Sequence, residues 1–153
     1  MANQSSEINW RLKAFHDLTL DELYDALQLR QMVFSLEQNC AYVDADGKDK
    51  VSHHLLGYQN ETLIAYSRLI PAGVSYNEVS IGRVVSNKNF RMTGAGKELM
   101  RRSILHCEAL FGRQPIRIGA QKYLKRFYED FGFHDVGKEY LEDGIPHLEM
   151  LRA

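Results

Sequence analysis

The 153-residue sequence lacks the features that mark membrane, secreted and nucleic-acid-binding proteins. No apolar run approaches the ~20 residues that a membrane-spanning helix requires, and the polar segment 1–9 lacks the apolar stretch of a signal peptide. A formal net charge of −1 offers little electrostatic attraction to nucleic acids or to anionic membranes. The sequence therefore predicts a cytoplasmic protein with neither kind of partner.

Cysteine is scarce, which argues against a disulfide framework or a thiol redox motif. The two cysteines, Cys40 and Cys107, lie far apart and form no CxxC pair. Cys107 falls on the apolar stripe of a predicted helix, so we expect a buried packing residue. Cys40 falls in a polar loop where nothing in the sequence would activate its thiol, so a covalent nucleophile is the weaker hypothesis there.

Repeats, linkers and low-complexity segments are absent as well, which leaves no natural point of division in the chain. Hydrophobic residues make up 44% and charged residues 25% of the sequence, an ordinary composition for a globular protein. A chain of this length can bury one sizeable core. We therefore predict one domain over residues 1–153.

Apolar periodicity predicts a succession of strands and helices. Strands are expected near residues 8–15, 53–59, 63–70, 79–86, 116–121, 135–140 and 147–152. Thr19 and Glu22 form a capping-box pattern at the start of a helix that runs to about Glu37. Two apolar faces on this helix predict burial on both sides or a break into two helices. Together the elements predict an α/β fold with a mixed sheet of six or seven strands flanked by helices.

The most informative stretch is the run Arg91-Met92-Thr93-Gly94-Ala95-Gly96, which follows the strand at 79–86 and opens a helix that reaches about Phe111. Unpaired N–H groups and the positive end of the dipole make such a helix start favourable for a phosphate. Glycines let the backbone approach an anion closely. The run therefore predicts a site for a cofactor that carries a diphosphate, although ordinary turn glycines before a helix are an alternative.

Two common phosphate-binding motifs do not fit this loop. A P-loop needs Ser or Thr after the Gly-Lys pair, and Glu98 stands at that position. A dinucleotide fingerprint needs a third glycine where Leu99 stands. Triphosphate hydrolysis and dinucleotide binding are therefore not indicated.

The pattern that remains, Arg-x-x-Gly-x-Gly at 91–96, resembles the acyl-CoA-binding loop of the GNAT superfamily of N-acetyltransferases. The segment 127–133, Phe-Tyr-Glu-Asp-Phe-Gly-Phe, resembles the Phe-Tyr-x-x-x-Gly-Phe signature that follows this loop in the same superfamily. Between residues 20 and 150 the chain is also similar to the ElaA-like acetyltransferase family. That similarity rests on segments such as Leu27-Gln28-Leu29-Arg30, Ile81-Gly82-Arg83-Val84, Gly119-Ala120-Gln121 and Glu142-Asp143-Gly144-Ile145-Pro146-His147.

The resemblance implies a GNAT-type acyl-CoA N-acyltransferase fold and an acetyl-transfer reaction. An acetyl group would pass from acetyl-CoA, the co-substrate, to a primary amine of a small molecule or peptide by direct attack in a ternary complex. It implies no metal, and it is compatible with a homodimer. A CoA-binding regulatory or sensor protein without turnover is one alternative, and an interaction module whose glycines merely turn the chain is another.

The resemblance also assigns residues to the co-substrate. The pantetheine arm would pair with the backbone of Val84 and Val85. The remaining expected cofactor contacts are Arg91, Met92, Thr93, Gly94, Ala95, Gly96, Gln121, Phe127 and Tyr128. Gln121 stands where many relatives carry an asparagine, which preserves the amide but lengthens its reach.

Two catalytic residues are expected. Tyr128 stands where the superfamily often places a general acid, and a phenol keeps its proton at neutral pH; its helical spacing alone would equally suit a packing residue. His147 is preferred as a polar residue of the acceptor site because Gly144-Ile145-Pro146 fixes its approach. His54, Glu78 and Glu139 are the other candidates for a base, and structural roles or a water relay are the alternatives.

The loop at 38–49 carries Asp44, Asp46 and Asp49. Counted from Asp44, it lacks the glycine at position six and the glutamate at position twelve of a calcium loop, so no metal site is expected. The acids are then either those of a solvated turn or, together with Glu37, a cluster that attracts a cationic amine acceptor.

Overall fold

The computed structural model describes residues 7–39 and 42–153, so Cys40 lies outside the described residues. In that part of the chain no helix is long and apolar enough to cross a membrane. The elements, in chain order, are β1 (Asn9–Ala14), α1 (Leu20–Arg30), β2 (His53–Gln59), β3 (Thr62–Ile70), β4 (Ser80–Ser86), α2 (Ala95–Phe111), β5 (Ile116–Gln121), α3 (Lys125–Glu129), β6 (Phe133–Glu142) and β7 (Ile145–Arg152).

Helix α1 begins with the predicted capping box. The Glu22 N–H donates to Thr19 Oγ1 at 3.0 Å, and the Thr19 N–H donates to Glu22 Oε1 at 2.9 Å. After Arg30 the helix widens into a π-helical segment, Gln31–Glu37, and does not separate into two helices. Burial on both sides is confirmed in the main: Leu29, Arg30 and Val33 are buried, and Leu23, Leu27 and Phe34 are half-buried. The exception is Leu36, which is 78% exposed.

The seven strands form two antiparallel sheets, in the orders β1-β2-β3-β4 and β5-β7-β6. A parallel bridge between Val79 and Ile116 joins the sheets, and the Arg117 N–H donates to the Val79 carbonyl at 2.9 Å. The predicted α/β fold with seven strands is confirmed. Within the described residues, its parallel character is limited to this one junction, where β4 and β5 begin side by side.

Helices cover the two faces of the first sheet. Ala26, Leu29 and Val33, on α1 and its π-helical extension, pack in a cluster with Leu56 and Tyr66 of the sheet. On the other face, α2 contributes Leu99, Met100, Ile104 and Cys107 to the core. Cys107 is 2% exposed, and burial raises the pKa of its thiol to about 12, so the prediction of a packing residue is confirmed.

Candidate active site

A cavity of about 560 Å³ opens beyond the junction where β4 and β5 begin together. Its walls come from β4, the first turn of α2, β5, the α3 region, the β6–β7 hairpin and the π-helical segment of α1. Most of the residues expected at the site line this cavity. They are Val84, Val85, Arg91, Gly96, Gln121, Phe127, Tyr128 and His147.

The other expected cofactor residues lie elsewhere at the start of α2. Thr93, Gly94 and Ala95 line a second, separate depression that Trp10 and Arg102 also border. The side chain of Met92 is outside the described part of the structure. Contacts of this group with a cofactor therefore remain predictions, and they would have to come mainly from its backbone.

The middle of β4 departs from regular pairing where it borders the cavity. Tyr66 pairs with Val85 and Arg68 pairs with Gly82, so Arg83 and Val84 together stand opposite one residue of β3. Arg83 has φ +50°, which is uncommon for a residue other than glycine. A bulge of this kind interrupts the ladder and re-aims the backbone. The sequence contains no signal for it, because the strained residue is an arginine.

The start of α2 has open space beside its first backbone N–H groups. Gly94 turns the chain at φ +82°, and the Glu98 N–H donates to the Gly94 carbonyl at 3.1 Å. The N–H groups before Glu98 have no acceptor within the helix. A Cβ added to Gly96 would meet no atom within 4 Å, so that glycine borders empty space in the cavity. These features fit an anionic group such as a diphosphate.

Arg91 lies at this end of the cavity, but its charge is already compensated. Its Nη2 donates to Glu37 Oε2 at 2.8 Å and to the Ser86 carbonyl at 3.1 Å, and its Nη1 pairs with Glu37 Oε1. The hydrogen bond from Arg91 lowers the pKa of Glu37. Glu37 therefore compensates Arg91 and is not free for an amine, contrary to the hypothesis that grouped it with the aspartates.

Tyr128 presents a hydroxyl with no hydrogen bond to another described residue. The side chain is 7% exposed and lines the cavity. Phe127 and Phe133 hold the ring edgewise, with centroids 5.2 and 6.0 Å away. Burial raises the pKa of Tyr128 to about 12. The phenol therefore keeps its proton at neutral pH and has it available for a ligand.

His147 is 7% exposed, lies on β7 beside the hairpin turn, and lines the same cavity. Nδ1 lies 2.8 Å from the Ile145 carbonyl, which can only accept, so Nδ1 carries a hydrogen. Nε2, the atom left to exchange a proton, lies 3.4 Å from Glu142 Oε2. Tyr140 stacks on the ring at 5.5 Å between centroids. The imidazole is thus held in one orientation at the cavity wall.

The other candidates for a base do not line the cavity. The buried ring of His54 is held between the Tyr66 hydroxyl at 2.7 Å and the Asp49 carbonyl at 2.9 Å, and burial lowers its pKa. Glu78 pairs with Arg117 at 3.0 Å. Glu139 pairs with Lys122 at 2.9 Å. These three residues have structural partners. Of the four candidate bases, only His147 lines the cavity.

The aspartates of the 42–52 loop belong to a network of six compensating charges, which consists of Asp44, Asp46, Asp49, Arg30, Arg68 and Arg83. Arg30 Nε lies 2.9 Å from Asp44, and Arg68 donates to Asp46 at 2.8 Å. Asp44 is also bound by Arg83 at 2.9 Å. Neither a solvated turn nor an amine-attracting cluster describes these acids, so both hypotheses are wrong. Their role is to anchor the loop beside the cavity.

Gln121 makes a contact that sequence reasoning missed. Its Nε2 donates to Gln38 Oε1 at 3.0 Å, which ties β5 to the end of the π-helical segment. Both residues line the cavity. Because the two lie 83 positions apart, no local pattern could have paired them.

Comparisons with known proteins agree with this architecture. A family model described as an acetyltransferase (GNAT) domain matches residues 32–152. The sequence is 40% identical to protein ElaA of Escherichia coli (strain K12) over 147 residues, which cover 95% of this chain and 96% of ElaA. A UPF0039 protein of Synechocystis sp. is 41% identical over 146 residues, with 95% of each chain covered.

Two solved structures are similar over almost the same span. The crystal structure of an acyl-CoA N-acyltransferase from Pseudomonas aeruginosa has a TM-score of 0.90 at 44% identity, covering 95% of this chain and 99% of that one. The crystal structure of Escherichia coli ElaA has a TM-score of 0.90 at 38% identity, with coverage of 95% and 99%.

Proposed function

Because this chain belongs to the GNAT acetyltransferase family, we propose that it transfers an acetyl group from acetyl-CoA to a primary amine of a small molecule or peptide. The observation that carries the proposal is the cavity between β4 and β5. It has a helix start suited to an anion at one end, and two buried groups able to move protons, Tyr128 and His147, line its walls. The reaction would take place in the cytosol, where acetyl-CoA is supplied.

The residues at the start of α2 would hold the diphosphate of the co-substrate. Backbone N–H groups of the run 91–96 would bind it, and the open space beside Gly96 would admit it. Val84 and Val85, on the irregular part of β4, would hold the pantetheine arm, and Gln121, Phe127 and Tyr128 would complete the binding wall. When bound, acetyl-CoA supplies an acyl group activated as a thioester.

Tyr128 and His147 would move the two protons of the reaction. His147 would accept a proton at Nε2 from the attacking amine, since imidazole takes and gives protons near neutral pH. Tyr128 would donate the proton at Oη to the departing thiolate, and its unpartnered hydroxyl is free to do so. Attack would be direct, as the family resemblance implies, and Cys107 is buried outside the cavity lining.

A turnover screen tests the proposal. Purified protein is mixed with acetyl-CoA and representative amines, and release of the free thiol is followed, with longer acyl-CoAs in a parallel series. Calorimetry with CoA accompanies it, and an affinity near 1 μM, about −8 kcal/mol, is expected. Binding without turnover of any amine would favour a sensor, and failure to bind CoA would refute the site altogether.

A further inference from the structure

The charges that line the cavity are compensated everywhere except at the β6–β7 hairpin. Arg83 is paired with Asp44 and Asp46, and Arg91 is paired with Glu37. Glu142 and Asp143 also line the cavity. Within residues 7–39 and 42–153, neither carboxylate has a lysine or arginine in an ion pair. The cavity lining therefore includes a helix start suited to anions and, on the hairpin, two acids that no lysine or arginine compensates.

We propose that the acceptor is a small amine carrying a second positive charge, and that Glu142 and Asp143 bind that second charge. This inference rests on the proposed acyl transfer and specifies its substrate class. The cavity volume of about 560 Å³ favours a small acceptor, because the arm of the co-substrate must share the same space. The hydroxyl of Tyr128 lines the same cavity without a hydrogen bond to another described residue, so a polar group of a bound ligand is expected beside it.

Exposure indicates which end of the acceptor each group meets. The Glu142 side chain is 60% exposed at the rim, whereas Tyr128 and His147 are each 7% exposed. A carboxylate beside an ammonium group stabilises its charged form, and the attacking amine must be neutral. The acids at the rim therefore bind the remote charge, and the reacting nitrogen lies deeper, beside His147.

Asp143 offers the cleaner test because Glu142 Oε2 also lies 3.4 Å from Nε2 of the proposed base, His147. It has φ +51° in the hairpin turn, a conformation that asparagine tolerates well. Asp143→Asn therefore removes the charge while keeping the turn. Glu139→Gln is the matched control, since Glu139 lies on the same hairpin, pairs with Lys122 and does not line the cavity.

The experiment compares kcat/KM for 1,5-diaminopentane and for pentylamine, which lacks the second charge. Each exposed charge pair raises kcat/KM for the diamine by about fivefold at most. With two carboxylates, the unmodified protein should prefer the diamine over pentylamine by about tenfold. Asp143→Asn and Glu142→Gln should each lower that preference, the double variant should abolish it, and Glu139→Gln should preserve it. The preference should also fall as salt is added.

Equal kcat/KM values for the two amines would overturn the inference and leave the proposed acyl transfer standing. If no amine is turned over, the proposed function fails, and calorimetry of 1,5-diaminopentane with the protein in excess CoA decides the inference separately. Binding that is weakened in the double variant but not in Glu139→Gln would support it. No measurable binding of the diamine would refute it.

Discussion

Replacing Tyr128 with phenylalanine removes one oxygen atom from a side chain that lines the cavity. Because no hydrogen bond joins that hydroxyl to another described residue, the substitution should remove no hydrogen bond from the folded state. The ring should stay packed against Phe127 and Phe133. We expect the free energy of unfolding to change by less than about 0.5 kcal/mol, and the affinity for CoA to stay within about twofold.

The rate should respond quite differently. A positioned general acid accelerates a reaction by about 10²- to 10⁴-fold. Because a thiolate is already a good leaving group, we expect the lower end of that range, a fall in kcat of about 10²-fold, or about 2.7 kcal/mol. A free thiol has a pKa of about 8.5, so the leaving group needs the proton less as pH rises above that value. Burial raises the pKa of Tyr128 to about 12, so the phenol itself stays protonated there. The defect should therefore shrink above about pH 9.

Tyr58→Phe is the matched control for this substitution. Tyr58 is 4% exposed, lies outside the cavity lining, and donates its hydroxyl hydrogen to Asp25 Oδ2 at 2.7 Å. The control should lose about 1–2 kcal/mol of stability and keep its rate, the opposite of Tyr128→Phe. Thiol release across pH, urea unfolding and CoA calorimetry measure the three quantities. An unchanged kcat for Tyr128→Phe, or a loss of rate matched by an equal loss of CoA affinity, would refute the assignment.

Three further predictions concern the helix start, a charged cap and the buried network. Gly96→Ala should preserve or raise stability by up to about 1 kcal/mol, since alanine favours helices, while CoA titration shows weaker binding because the new methyl occupies the open space. Burial opposes ionisation of Glu22, but hydrogen bonds from Lys13, the Thr19 N–H and Arg11 outweigh it and lower its pKa from 4.5 to about 2. Because the folded-state pKa is depressed, ionised Glu22 contributes about 3 kcal/mol to the free energy of unfolding above pH 4.5, and this contribution should disappear as pH falls towards 2. In urea unfolding, Glu22→Gln should lack that acid dependence. Asp49→Asn should cost about 2–3 kcal/mol in urea unfolding, because it removes the carboxylate that the buried Arg30 and Arg68 share, while each arginine keeps a second one, Asp44 or Asp46.

Local features of this protein were predictable wherever a few neighbouring residues decide the structure. The capping box of Thr19 and Glu22 acts over three residues, and the structure contains both of its hydrogen bonds. Glycine at position 94 permits the left-handed turn that opens α2. Apolar periodicity located the strands and the burial of Cys107. The two motifs at 91–96 and 127–133 indicated the family for the same reason, since each is a short run with its own conformation.

The partners of the charged side chains could not be predicted in this way. Glu37 lies 54 positions before Arg91, and Asp44 lies 39 positions before Arg83, yet each pair is in contact. Whether an acid is paired with a basic residue depends on which distant segments folding brings together. The sequence around a paired acid and around an unpaired one carries no feature that distinguishes them. From sequence alone, the aspartates of the loop at 42–52 are predicted to be free or solvated, and nothing distinguishes them from the hairpin acids Glu142 and Asp143. Conformations that a few adjacent residues control can be inferred from the chain alone, whereas charge compensation requires the long-range contacts of the folded molecule.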